Sequence, residues 1–130
     1  MASATRYFER VIARCRELCT GVQVLARDER PARALLKITA RYGDYDIYIT
    51  EVVLFDDVRK YAYYVLQADS IIAGFDNAPD PDALKLKYGT HYAQHRLELI
   101  PHLHSAAKTQ VSLTDALEFE QFIAWIDQYL

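Results

Sequence analysis

Residues 35–75 read LLKITARYGDYDIYITEVVLFDDVRKYAYYVLQADSIIAGF, and their alternation sets the fold class. Leu36, Ile38, Ala40 and Tyr42 alternate with Leu35, Lys37, Thr39 and Arg41, the period-two pattern of a strand with one buried face. Gly43-Asp44 supplies a hairpin turn. The return strand runs from Tyr45 to Phe55, with Ile47, Ile49 and Val53 on one side and Tyr48, Val52 and Leu54 on the other. After Asp56-Asp57-Val58-Arg59 the alternation resumes over Lys60 to Gln67, and after Asp69-Ser70 over Ile71 to Phe75. Four successive strands joined by tight turns predict an antiparallel meander. Glu51 falls on the face of Ile47 and Ile49. A carboxylate there is either solvated at an edge or inside with a raised pKa and a partner; the edge is the expectation.

Outward from the meander, residues 4–19 place Phe8, Val11, Ile12, Cys15, Leu18 and Cys19 at the spacing of an amphipathic helix, which Gly21 suits as a left-handed stop. Val22 to Leu25 reads as a short first strand, ended by the polar loop Arg27-Asp28-Glu29-Arg30-Pro31. Toward the C-terminus, residues 76–83 read as loop, Leu84 to Tyr88 as a brief amphipathic piece ended by Gly89, and Thr90 to Arg96 as one helical turn or two. Residues 97–104 are strand-like. In TDALEFEQFIAWIDQYL, residues 114–130, Phe119, Phe122, Ile123, Ile126 and Leu130 form the stripe of a packing helix. The expectation is a single α+β domain over residues 1–130, an antiparallel sheet of about five strands carrying an N-terminal and a C-terminal helix.

A chain of 130 residues, half of them apolar and a quarter charged, is long enough for one core and too short for two. Its apolar runs fall well below the roughly 20 residues needed to span a bilayer, and its N-terminus lacks a secretory pattern, so a cytoplasmic protein without membrane attachment is expected. Cys15 and Cys19 read as buried free thiols. The net charge of −3 argues against a broad nucleic-acid-binding surface. Yet residues 84–109 set Lys85, Lys87, Arg96 and Lys108 against Glu98 alone, which leaves room for a local anion site.

All four histidines, His91, His95, His102 and His104, fall within residues 71–104. On an extended strand His102 and His104 point to one side, and on a helix His91 and His95 share a face. The set matches metal-ligand spacing, with Asp76, Asp80 or Asp82 available to complete a site. The expectation is nonetheless cofactor-free acid–base cleavage of RNA, with a metal site as the alternative. There His102 and His104 act as base and acid, Asp76 orients a ring, Asn77 donates a hydrogen bond, and Lys85, Lys87 or Arg96 meets the phosphorane charge. Tyr61 and Tyr63 offer base-stacking faces in that scheme and cross-strand packing otherwise. Pro101 favours an edge position for the His102–His104 strand. Asp76-Asn77-Ala78-Pro79 reads either as part of the site or as the turn that shapes it.

The run Gly74-Phe75-Asp76-Asn77-Ala78-Pro79, followed by LKLKYG at 84–89, ELIPHLH at 98–104, Leu113-Thr114 and the acidic-aromatic terminal helix, resembles the TumE family of toxin components in prokaryotic toxin–antitoxin pairs. The resemblance spans residue 34 to the end. In the family's pattern an Arg often stands before the aromatic-Asp-Asn and a His after the Pro; here those places hold Gly74 and Asp80. The resemblance implies a toxin-type protein acting on RNA and held in check by a small cognate antitoxin, often a helix-turn-helix protein. The readings that stand beside a ribonuclease are a non-catalytic binding or regulatory protein of the same family and a metal-binding protein using the histidine cluster. A homodimer through a sheet edge or a helix face is compatible with each.

Overall fold

The computed structural model describes residues 2–105 and 110–130; Lys108, one of the cations counted above, lies outside them. Helix α1 (Ala2–Leu18) leads into β1 (Thr20–Glu29), β2 (Arg33–Tyr42), β3 (Tyr45–Leu54), β4 (Arg59–Gln67) and β5 (Ser70–Asp76). Helix α2 (Pro81–Tyr88) and a 3-10 segment (Gly89–His95) precede β6 (His102–Ser105), β7 (Gln110–Leu113) and α3 (Phe119–Tyr129). The strands form one open sheet in chain order, each antiparallel to the next. The α+β class and the meander are as expected, but the sheet has seven strands where about five were expected. No helix of the described residues is long and apolar enough to cross a membrane.

The extra extent has local causes. Backbone pairing with β2 carries β1 on through Arg27, Asp28 and Glu29, which composition alone reads as loop. Charged side chains suit an edge strand because they discourage further pairing. Gly21 stands inside β1 at a φ of 60°, where the register with β2 shifts, so it serves a bulge rather than a helix stop. Strands β6 and β7 have four residues each, too few for an alternation to register. Because β7 covers its outer side, β6 is interior, and the edge position expected from Pro101 is not found. The β2–β3 hairpin needs only Gly43-Asp44, with Gly43 at a φ of 60°, as a two-residue turn with glycine first requires.

Helices α1 and α3 pack on one face of the sheet through Phe8, Cys15, Phe122 and Ile126 against Leu36, Ile49, Tyr63 and Phe75. Both cysteines are buried and unpaired. On the opposite face Ala83 and Leu84 of α2 close with Ile100 and Val111 over β6 and β7. Over β2, β3 and β4 no helix of the described residues packs on that face, and Lys37, Tyr48 and Lys60 are exposed on it.

Glu51 is not at an edge; it is fully buried beneath the helices. Its carboxylate lies 2.9 Å from the Arg59 guanidinium and accepts hydrogen bonds from the Tyr7 hydroxyl at 2.9 Å and from the Tyr63 hydroxyl. Arg59 also donates to the Leu117 carbonyl and lies over the Tyr61 ring, 4.5 Å from its centroid. One polar group thus ties α1, β3, β4 and the approach to α3 together. Burial pushes the Glu51 carboxyl above the usual carboxylate range, against the pull of Arg59 and the two phenols.

Arg59→Met strands the Glu51 carboxyl without its cation, and denaturant unfolding is expected to show a loss of about 3 kcal/mol or more; a loss under about 1 kcal/mol would contradict this account. With its folded pKa raised, Glu51 contributes fully below its unfolded value of about 4.3, and that contribution fades as pH rises through the folded value. The urea midpoint of the native protein relative to Glu51→Gln is therefore expected to fall between pH 4 and pH 7, and a rise would refute the assignment.

Candidate metal centre

Register builds the site. In β5, Ala73 and Phe75 face the helices, so Gly74 and Asp76 face the other way. Strand β6 pairs so that His102 lies opposite Asp76 and His104 opposite Gly74, and both rings stand on the side of Asp76, as period two requires. Pro81 starts α2 with Asp80 as N-cap, its Oδ1 accepting from the Ala83 amide at 2.9 Å. The second oxygen of Asp80 turns back toward the histidines.

Four donor groups converge there. His102 Nε2 is 3.1 Å from His104 Nε2, 3.3 Å from Asp76 Oδ1 and 3.9 Å from Asp80 Oδ2, and His104 Nε2 is 3.5 Å from Asp80 Oδ2. Ligand atoms of Asp76, His102 and His104 all lie within 4.8 Å of one another. Tetrahedral bonds of about 2.0–2.1 Å to a zinc-sized ion place ligand atoms roughly 3.3 Å apart, close to the three shortest of these separations. His102 is 1 % exposed, and its Nδ1 lies 2.6 Å from the Ile100 carbonyl. A carbonyl only accepts, so Nδ1 carries a proton, and it is Nε2 that faces the cluster, the arrangement of a ligand histidine held by its second nitrogen. A divalent cation among these groups would offset all their lone pairs at once, where protons on the rings do so pair by pair.

His104 is held differently. Its Nδ1 is buried without a hydrogen-bond partner among the described residues, and the ring is held through Nε2 and by edge-to-face packing on His102, the centroids 4.7 Å apart. The cluster opens to solvent on the Asp76, Asp80 and His104 side, where those side chains remain 14 %, 21 % and 15 % exposed. A groove of about 280 Å³ reaches Asp76 across the sheet, lined by Thr50, Lys60, Ala62, Tyr64, Asn77 and Pro79 among others.

The other candidate residues lie elsewhere. His95 stacks on Tyr88 at 3.6 Å and its Nδ1 is 3.5 Å from Glu98, while His91 stands exposed on the 3-10 segment; neither joins the ring pair. Of the aspartates, Asp76 and Asp80 enter the site, and Asp82 stays exposed in the first turn of α2. Asn77 is a backbone clamp: its Oδ1 accepts from the Tyr61 amide at 3.0 Å and its Nδ2 donates to the Arg59 carbonyl at 2.9 Å. Tyr61 and Tyr63 are core residues stacked on each other and, through Tyr63, on Phe122, so neither ring has a face for a base. Lys87 pairs with Glu98 at 3.1 Å, Lys85 lies over the Tyr92 ring, and Arg96 is exposed at the end of the 3-10 segment.

The two departures from the resembled pattern have structural correlates. The Tyr64 ring covers Gly74 so closely that a Cβ at position 74 would lie 2.5 Å from it, and no side chain fits there without displacing Tyr64. Asp80 is a member of the cluster.

Purified protein is expected to take up one divalent transition ion per chain, read by mass spectrometry of the metal. At a hundred-fold excess over Kd the ion raises stability by about 2.7 kcal/mol. Asp76→Asn and His102→Ala are each expected to abolish that uptake and the thermal shift, whereas His91→Ala leaves both intact; retention by the first two would refute the site. Comparison with protein-family models, with curated proteins and with solved structures finds no match for this chain, so the chemistry of the cluster carries the functional argument.

Proposed function

We propose that this chain is a metal-dependent phosphodiester hydrolase of toxin type, acting on RNA in the cytoplasm and restrained by a cognate antitoxin. The observation that carries the hydrolase reading is the convergence of Asp76, His102 and His104 on one point, with Asp80 beside them and the approach open. The RNA substrate and the antitoxin come from the resemblance to the TumE family. That family's pattern has His where Asp80 stands, an exchange of one metal-compatible donor for another.

With Asp76, His102 and His104 as the three protein ligands and Asp80 facing the fourth position rather than filling it, the site would match the arrangement of catalytic rather than structural sites. A divalent ion held there lowers the pKa of a bound water and polarises a phosphoryl oxygen. Asp80 is placed to accept the proton of the attacking water, whose oxygen bonds to phosphorus as the bond to the departing ribose oxygen breaks; the proton then passes to that oxygen. His102, held by Ile100 and shielded from solvent, orients the site and does not reach substrate. Cofactor-free acid–base catalysis by the two histidines would need a ring nitrogen of His102 at the substrate, and the burial of that ring with Nδ1 engaged favours the metal-bound reading. The same two-histidine, one-carboxylate set also holds iron in non-haem oxygenases; the extra carboxylate of Asp80 favours hydrolysis.

Protein loaded with zinc or manganese is expected to cleave single-stranded RNA, to lose that activity on chelation and to regain it when the metal returns. Asp80→Asn, which keeps a good helix cap, is expected to retain the metal while cleavage falls about a hundred-fold or more. Cleavage indifferent to chelation would transfer the chemistry to the histidines, and intact RNA with metal-loaded protein would end the hydrolase reading.

A further inference from the structure

The uncovered face of the sheet leads straight to the cluster. Residues paired strand to strand form rows that cross the sheet on one side. One row runs Thr39, Tyr48, Tyr64, Gly74, His104, and the next runs Lys37, Thr50, Ala62, Asp76, His102. A third places Lys60 beside Val52. At about 4.8 Å per strand, Tyr64 stands roughly 10 Å and Tyr48 roughly 14 Å from the β6 histidines. The two tyrosines are direct cross-strand neighbours, and the Tyr64 ring lies over the missing side chain at Gly74. Tyr48 is 48 % exposed. The charges of this face are Arg33, Lys37, Arg41 and Lys60 against Asp46, which pairs with Arg41 at 3.1 Å. An otherwise acidic chain therefore keeps a basic, aromatic strip at the mouth of its metal site, joined to Asp76 by the groove along Thr50, Lys60 and Tyr64.

We infer that this open face over β2, β3 and β4 binds single-stranded nucleic acid, with bases stacked on the Tyr48–Tyr64 platform and phosphates met by Lys37 and Lys60. The inference rests on the phosphodiester reading of the neighbouring cluster. Aromatic rings on an exposed antiparallel sheet suit unpaired bases because every base has a π-face, and flanking cations suit the backbone. A duplex hides its base faces and has nothing to offer the tyrosines. The same chemistry would accept RNA or DNA, and the two are separated by experiment.

Binding is measured on metal-free protein, so that nothing is cut, by fluorescence anisotropy with end-labelled single-stranded RNA, single-stranded DNA and the matching RNA duplex. Single strands are expected to bind at least ten-fold more tightly than the duplex. Tyr48→Ala is expected to weaken that binding about five- to a hundred-fold, and Tyr48→Phe, which keeps the ring, to restore it. Lys37→Ala and Lys60→Ala are each expected to lower the salt slope by about one, while Arg16→Ala on α1 changes nothing. Melting temperatures of all variants are compared, and Tyr48→Leu replaces Tyr48→Ala if the latter does not fold. Equal affinity for duplex and single strand, binding unchanged by loss of the Tyr48 ring, or no binding at all would overturn the inference. Failure of metal uptake or cleavage with this binding pattern intact would refute the hydrolase and leave the face; intact cleavage with binding insensitive to Tyr48 would do the reverse.

Discussion

Strands β5 and β6 pair in a register that sets Asp76 opposite His102 and Gly74 opposite His104, and everything chemical in the molecule depends on it. Side chains alternate with a period of two, so a slip of one residue in β6 would send both rings to the helix side, and one in β5 would send Phe75 away from the core. The register is over-determined. Phe75 and Ala73 are locked in the apolar core, Asn77 extends the β4–β5 ladder with two side-chain bonds, and its carbonyl accepts the Ile100 amide at 3.0 Å. The segment that carries the histidines is thus anchored immediately before them.

Glu51 and Arg59 provide a second, polar constraint on the opposite side of the sheet. Burying an ion pair seldom adds net stability, because two desolvated charges must be compensated by well-placed hydrogen bonds. Here Tyr7, Tyr63 and the Leu117 carbonyl provide them. The return is positional: α1 and the approach to α3 are fixed relative to β3 and β4 by directional bonds rather than by apolar contact alone. The two faces of the sheet divide the labour, one closed around a satisfied polar centre and the other left open toward Asp76.

The meander from Leu36 to Phe75 was legible in the sequence because long, regular alternation is a strong signal and short turns leave few topologies. The same periodicity placed His102 and His104 on one side. What was not legible depended on distant partners. Glu51 reads as an edge residue until Arg59, eight positions on, folds back across the hairpin. Tyr61 and Tyr63 offer stacking faces on paper, but register turns them inward and gives the outward role to Tyr48 and Tyr64. The polar composition of β1 and the shortness of β6 and β7 concealed strands that exist through their neighbours' hydrogen bonds. Asp80 appeared as one of three equivalent aspartates, and only the start of α2 beside the histidines separates it from Asp82.

Asp80 spends one oxygen on the first turn of α2 and turns the other toward the two imidazoles. The carboxylate therefore acts as a hinge pin between a helix and the histidine pair. Helix α2 in turn holds Ala83 and Leu84 against Ile100, whose carbonyl holds Nδ1 of His102. A closed circuit results, running from carboxylate through helix and apolar plug to carbonyl and imidazole, and back to the carboxylate. A cation entering at its centre would tighten every joint of the circuit at once, so occupancy of the site and the firmness of α2 would be two readings of a single equilibrium.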